Sequence, residues 1–227
     1  MSRKKFGHSM NNYNQLLLNF NQKQNFNYED YFVSDSNFYA FNIIDKWPKW
    51  EKNILNIYGE KYSGKSHLAN IFIKKNKAIK IYEKELNNNV LKNLKIHQNI
   101  ILEDFENRTD EKLIYSLFNL VDQDNKYLII NSIVPVNKID FNLKDLKSRG
   151  KNCLFAEIGK PNDELIFALI VKNFSDRQII IDKKIIDFII KRIDRSYSKI
   201  AEFIYKVDEL SLKKKRPIDF KTIREII

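Results

Sequence analysis

The chain has 227 residues, enough to bury a core in one or two domains without help from disulfides or a structural metal. With 43% hydrophobic, 13% aromatic and 30% charged residues, it has the apolar content of a folded protein, which excludes an intrinsically disordered one. Lys plus Arg 40 against Asp plus Glu 29 leave a formal charge of +11, which favours weak, non-specific attraction to DNA or another polyanion. The basic residues are scattered through a chain heavy in Lys, Asn and Ile, so the excess reads first as compositional.

At the amino terminus, Met1 to Lys5 is basic, but Phe6 to Asn14 is polar and Leu16-Leu17-Leu18 is far too short for a signal-peptide core. No later segment has the apolar length to span a bilayer. The single cysteine, Cys153, excludes an internal disulfide and a cysteine-based metal site. A soluble, cytoplasmic protein without membrane contact is the expectation. Gln15-Leu16-Leu17-Leu18-Asn19-Phe20 stands between Asn-rich stretches. As an extended segment it offers Leu16, Leu18 and Phe20 to a pocket, with Gln15 to set register; as part of a fold it is a short strand or helix start against the core.

From there, β-branched runs alternate with helical stretches, the pattern of an α/β domain with a largely parallel sheet. The expected strands are Asn53 to Ile57, Ala78 to Tyr82, Asn99 to Leu102, Tyr127 to Ile130 and Asn152 to Ile158. His67 to Lys75, Lys84 to Leu94, Asp110 to Asp122 and Leu143 to Ser148 read as helices, with Leu113, Leu117, Phe118 and Val121 on one apolar face. Asn87-Asn88-Asn89 reads as a surface turn. After Gly159-Lys160-Pro161 everything reads as helix: Asn162 to Phe174, Lys183 to Ile193, Ser196 to Ser211 and Asp219 to Ile227. This set is too small to bury a core alone, so it should pack on the first domain. The expected organisation is a peptide and linker over 1–25, a nucleotide-binding α/β domain over 26–160 and a helical lid over 161–227.

Gly59-Glu60-Lys61-Tyr62-Ser63-Gly64-Lys65-Ser66 satisfies G-x-x-x-x-G-K-[ST], directly after one apolar strand and before a helix. Glycines at Gly59 and Gly64 let backbone N–H groups curl around phosphate oxygens at a helix start. Lys65 supplies a cation, and the Ser66 hydroxyl is a ligand for Mg²⁺. A phosphate cradle needs an acidic residue at another strand end, and Ile100-Ile101-Leu102 runs into Glu103 and Asp104. Glu103 is placed to face the metal and Asp104 to orient the attacking water. Asn131 and Ser132 close the next strand, where a polar side chain can sense the terminal phosphate. His8, His67 and His97 lack metal-ligand spacing.

Taken together these residues resemble an AAA+ ATPase, and more narrowly the family of the bacterial replication initiator DnaA and its shorter regulatory relative Hda. The landmarks are Asp30-Tyr31-Phe32-Val33, Ser36-Asn37, Trp47-Pro48-Lys49-Trp50, Gly64-Lys65-Ser66-His67-Leu68-Ala69, Leu102-Glu103-Asp104 and Asp145-Leu146-Lys147-Ser148-Arg149. Asp176-Arg177-Gln178 and Arg192-Ile193-Asp194-Arg195-Ser196 resemble the Hda lid. The resemblance implies an AAA+ core of five parallel strands and a small all-α lid, with ATP or ADP and Mg²⁺ as ligands. It implies that Tyr31, Phe32, Val33 and Asn37 surround the adenine, that His67 follows the cradle, and that Arg149 is an arginine finger for a neighbouring subunit's nucleotide. Ser198 falls where the family's second sensor arginine sits, so lid contact with the γ-phosphate rests on Arg195 and weak hydrolysis by the chain itself is expected.

In the same comparison, Gln15 to Phe20 is similar to the Q-L-x-L-x-F peptide that docks on the DNA polymerase sliding clamp. The implied function is negative regulation of replication initiation: a clamp-tethered protein, possible as a homodimer, that makes ATP-loaded DnaA hydrolyse its nucleotide. No recognition-helix pair is legible near Ile227, so direct origin reading is not expected. A helicase-loader-like ATPase and an adaptor that recruits DnaA without stimulating hydrolysis are the competing classes.

Overall fold

The computed structural model describes residues 28–177, 181–214 and 219–226; Gln15 to Phe20, His8 and Gln178 lie outside the described residues. Helix α1 (Phe38–Asp45) precedes β1 (Ile54–Gly59), α2 (Lys65–Asn76), β2 (Ala78–Tyr82), α3 (Asn88–Leu94), β3 (Asn99–Phe105), α4 (Glu111–Gln123), β4 (Tyr127–Ser132), α5 (Lys144–Lys151) and β5 (Leu154–Ile158). Four helices follow: α6 (Asp163–Asp176), α7 (Lys183–Ile190), α8 (Tyr197–Lys214) and α9 (Phe220–Arg224).

The five strands form one parallel sheet in the order β2-β3-β4-β1-β5. Side chains alternate between its faces, and both faces are covered, which is why the strands read as unbroken apolar runs. Ile100, Leu102, Leu128 and Ile130 pack with Leu117, Phe118 and Val121 of α4. Ile101, Ile129, Leu55 and Ile57 pack on the other face with Leu68 and Phe72 of α2 and Ile44 of α1. Fully buried aromatics such as Phe72 and Phe118 each contribute on the order of 3 kcal/mol. From β1 the chain crosses to the β2 edge, and from β4 it crosses over β1 to β5. The two connections part at the carboxyl ends of β1 and β4, where open α/β sheets bind ligands.

Several local expectations are corrected. Lys84 to Leu94 is not one helix, because the Asn87 side chain accepts from the amides of Asn89 and Val90 and starts α3 there. The Asn87-Asn88-Asn89 run is thus a helix cap rather than a surface turn. Strand β3 continues past Leu102 to Phe105 and β1 past Ile57 to Gly59. Helix α1 gave no signal in the periodicity reading.

The carboxy-terminal helices also differ from expectation. Ile170, Phe174, Ile186, Ile189, Phe203 and Val207 form a buried cluster of their own within α6–α8, so these helices do build a core. Leu165 and Tyr197 join the sheet's core, and they fasten these helices to the α/β layer as expected. Asn162, Asp182 and Asp219 cap α6, α7 and α9 through backbone N–H bonds. No helix among the described residues is long and apolar enough to cross a membrane.

Candidate nucleotide-binding site

The cradle is built where β1 meets α2. Gly59 has φ +154°, and a Cβ there would stand 2.6 Å from the Ile158 carbonyl oxygen on β5; no side chain fits. Gly64 caps α2 in the left-handed region at φ +99°, and a Cβ would press the Tyr31 ring at 3.2 Å. These two positions are why the motif demands glycine. Between them the loop folds so that Lys65 Nζ donates to the carbonyls of Gly59 and Glu60, both at 2.8 Å. Burial lowers the Lys65 pKa, while Glu103, Asp104 and Glu60 pull it back up. All three carboxylates therefore act on one ammonium group.

Opposite the loop, Ser66 Oγ donates to Glu103 Oε2 at 3.0 Å. Leu102 pairs with Ile130 and Phe105 with Ser132, so β3 carries one extra residue against β4. Glu103, in regular register with Tyr82 and two residues after Ile101, faces α2 and is 2% exposed, while the bulge leaves Asp104 exposed at φ +54°. Asn131, the β4 residue opposite the bulge, is fully buried. Asn56 of β1, paired with Ile130 on the other face of the sheet, donates its amide to Ile130 and Ser132 and accepts from the Val136 N–H, which locks β1 to β4.

Buried polar atoms ordinarily have partners. Here Ser63 Oγ, Glu103 Oε1, both amide atoms of Asn131 and the Tyr31 hydroxyl are buried without one. These residues all belong to the cradle loop, the facing strand ends or the ring against Gly64. Unsatisfied donors and acceptors gathered in this way suit a polar ligand. Ser66 Oγ and the free Glu103 oxygen are hard donors of the kind Mg²⁺ takes alongside phosphate oxygens. Among the described residues no group of three or more His, Cys, Asp or Glu could hold a metal by itself.

Other sequence-derived positions fall as follows. Tyr31 stacks on Phe41 and meets His67 edge-on with centroids 5.1 Å apart; burial raises its phenol pKa, with the Tyr197 phenol adding to the effect. Phe32 is exposed and Val33 half-buried. Asn37 uses its amide within the same loop, donating to the Phe32 carbonyl and accepting from the Ser34 N–H. Arg195 pairs with Asp163 at 2.8 Å on the surface. Arg149 lies on α5, bonded to Asp122 of α4 and set over the Tyr115 ring, and is not among the cradle contacts described above.

The sequence reading missed Glu60. Its carboxylate accepts from the Ser196 hydroxyl and from the amides of Tyr197 and Ser198 at 3.0 and 3.1 Å, so it holds the start of α8. These bonds hold the Glu60 carboxyl below its ordinary pKa although its partial burial pushes the other way. No local pattern announces a partner 136 positions downstream.

No family model matches the chain. DnaA of Borreliella afzelii, a chromosomal replication initiator, is 23% identical over 211 residues, covering 82% of this chain and 44% of the relative. The chain spans about half the length of the curated relatives it matches. Domain III of the Thermotoga maritima replication initiation protein DnaA superposes with a TM-score of 0.73 at 17% identity, covering 89% of this chain and 95% of that one. AMPPCP-bound DnaA from Aquifex aeolicus gives 0.64 at 19%, covering 82% and 64%. The fold is that of a DnaA-like AAA+ domain.

Proposed function

We propose that the chain binds adenine nucleotide with Mg²⁺ and acts as a regulator of replication initiation, switching off ATP-loaded DnaA. One observation carries the first half: the partnerless buried groups of Ser63 in the β1–α2 loop and of Glu103 and Asn131 at the strand ends, with the Glu103 carboxylate acting on Lys65. The likeness to DnaA, including the AMPPCP-bound neighbour, supports adenine nucleotide as the ligand.

In this reading Lys65 turns its Nζ from the Gly59 and Glu60 carbonyls to the terminal phosphates, exchanging two neutral acceptors for charged ones. The Gly59 to Gly64 backbone and the α2 amino terminus hold the remaining phosphate charge. Ser66 and Glu103 would hold Mg²⁺, which when bound neutralises phosphate charge. Asn131 offers its free amide to the terminal phosphate or its water, and Asp104 orients that water. Tyr31, Phe32 and Val33 line the base, in a loop shaped by Asn37, and His67 buttresses Tyr31.

The regulatory half rests on Arg149. Its pair with Asp122 is partly exposed and so holds it by no more than about 1 kcal/mol. So weak a contact leaves the guanidinium available to a neighbouring DnaA molecule's nucleotide, where a finger is worth about 10³ to 10⁵ in rate as measured in other P-loop proteins. Tethering through Gln15, Leu16, Leu18 and Phe20 to the sliding clamp raises the local concentration of the finger on replicating DNA.

The test is ATP hydrolysis by ATP-loaded DnaA with clamp on DNA, comparing no addition, this protein and its Arg149→Ala form. Stimulation that disappears with Arg149→Ala supports the switch. Equal stimulation by both forms removes the finger, and none by either leaves a nucleotide-binding adaptor.

A further inference from the structure

Glu60 belongs to two structures at once. Its backbone carbonyl is part of the cradle, accepting from Lys65 Nζ at 2.8 Å and from the Ser63 N–H at 3.2 Å. Its carboxylate caps the first turn of α8 through Ser196, Tyr197 and Ser198. The second residue of the phosphate loop is therefore also the anchor of the lid helix.

A carboxylate suits this end of α8, because the unpaired N–H groups and the helix dipole of an 18-residue helix present partial positive charge there. It suits the cradle less well. Phosphate arriving at Lys65 breaks the Nζ bond to the Glu60 carbonyl and brings negative charge near the Glu60 carboxylate. Each added phosphate charge thus opposes the contact that holds the lid. The same turn carries Tyr197, 3% exposed, in the sheet's core, with its hydroxyl 3.5 Å from Ser36, so loosening at Glu60 is felt where the lid meets the α/β layer.

We propose that Glu60 is a positioning residue that couples occupancy of the phosphate cradle to the seating of the lid helix α8, and that its charge lowers the affinity for ATP relative to ADP. The proposal rests on nucleotide binding at the cradle. Coupling of this kind is reciprocal: what the nucleotide does to the cap, the cap does to nucleotide affinity.

The experiment uses the full chain with Mg²⁺ and either ADP or ATP. Amide hydrogen exchange is followed at Tyr197 and Ser198, and both affinities are measured by calorimetry. In the wild type, exchange at these amides should rise on nucleotide binding, more with ATP than with ADP. Glu60→Gln keeps a neutral acceptor and should raise the ATP-to-ADP affinity ratio about fivefold, the size of one unit-charge contact near the surface in water. Ser196→Ala removes one donor but leaves the charge, so it should speed exchange at α8 and, by the same reciprocity, move the ratio in the same direction but by less than Glu60→Gln does; equal shifts in the two variants would overturn the role of the Glu60 charge. An unchanged ratio in Glu60→Gln, or exchange at Tyr197 and Ser198 indifferent to bound nucleotide, overturns the coupling. No binding of either nucleotide to the wild type overturns the cradle reading itself.

Discussion

The Ser66 hydroxyl donates to Glu103 Oε2 at 3.0 Å, which ties the first turn of α2 to the bulged end of β3. The other Glu103 oxygen has no partner and the residue is 2% exposed. Ser66→Ala would leave the whole carboxylate unsatisfied, at a cost of about 1–3 kcal/mol. The nucleotide-free thermal midpoint should fall, and added Mg²⁺ should no longer strengthen nucleotide binding in calorimetry. An Mg²⁺ effect that survives Ser66→Ala would remove this pair from the metal site.

Lys65→Ala should abolish nucleotide binding by calorimetry with little loss of stability. The ammonium is already opposed by burial, and its two protein acceptors are backbone carbonyls that water can reach once the side chain is gone. Undiminished affinity in this variant would sink the cradle assignment.

Glu83, only 4% exposed, accepts from the amides of Glu106, Arg108 and Thr109 at 2.7, 2.6 and 2.9 Å. It thereby fixes the loop that leaves β3 just beyond Glu103 and Asp104. Glu83→Ala strands these donors and should cost about 3 kcal/mol in urea unfolding. A loss within 0.5 kcal/mol, the range of an ordinary surface substitution, would show that the loop finds other partners.

Arg149→Ala and Asp122→Ala should each change stability by less than about 1 kcal/mol, because the pair is partly exposed and screened. Their effects on DnaA hydrolysis should be opposite: Arg149→Ala removes stimulation, and Asp122→Ala frees the guanidinium and preserves or raises it. Parallel losses in the two variants would mark the pair as structural.

Burial raises the Cys153 thiol to about 12 from an ordinary 9.0. The folded state thus holds the proton more tightly than the unfolded chain, and the stability this confers is complete below pH 9 and lost as the pH climbs toward 12. Alkylation by iodoacetamide at pH 8 should be slow for the native protein and complete in denaturant. Rapid native labelling would contradict the burial.

Much of the candidate site was legible as local structure, because its elements are short-range. Gly59, Gly64, Lys65 and Ser66 stand within one strand-to-helix turn, and the residue types that a phosphate loop requires are dictated by φ, by space and by charge. Glu103, Asp104 and Asn131 could be found from strand ends alone, since a parallel sheet brings its carboxyl ends to one edge. The strands themselves showed as apolar runs because both faces of the sheet are covered.

Long-range pairings were hidden for a physical reason. A carboxylate at Glu60 has no periodicity or spacing that names its partners at Ser196 to Ser198; only the folding of the lid across the sheet brings them into hydrogen-bond range. The bulge that leaves Asp104 exposed depends on the register between β3 and β4, and register is a property of two strands. The amino-acid sequence by itself determined the α/β alternation, the glycine-bounded turn from β1 into α2 and the acidic end of β3, because these follow from backbone sterics and local hydrophobic pattern. Tertiary structure alone decided that the carboxy-terminal helices own a core, that Arg149 rests on Asp122, and that Glu60 of the β1–α2 turn holds the start of α8, because each depends on which distant surfaces close packing brings together.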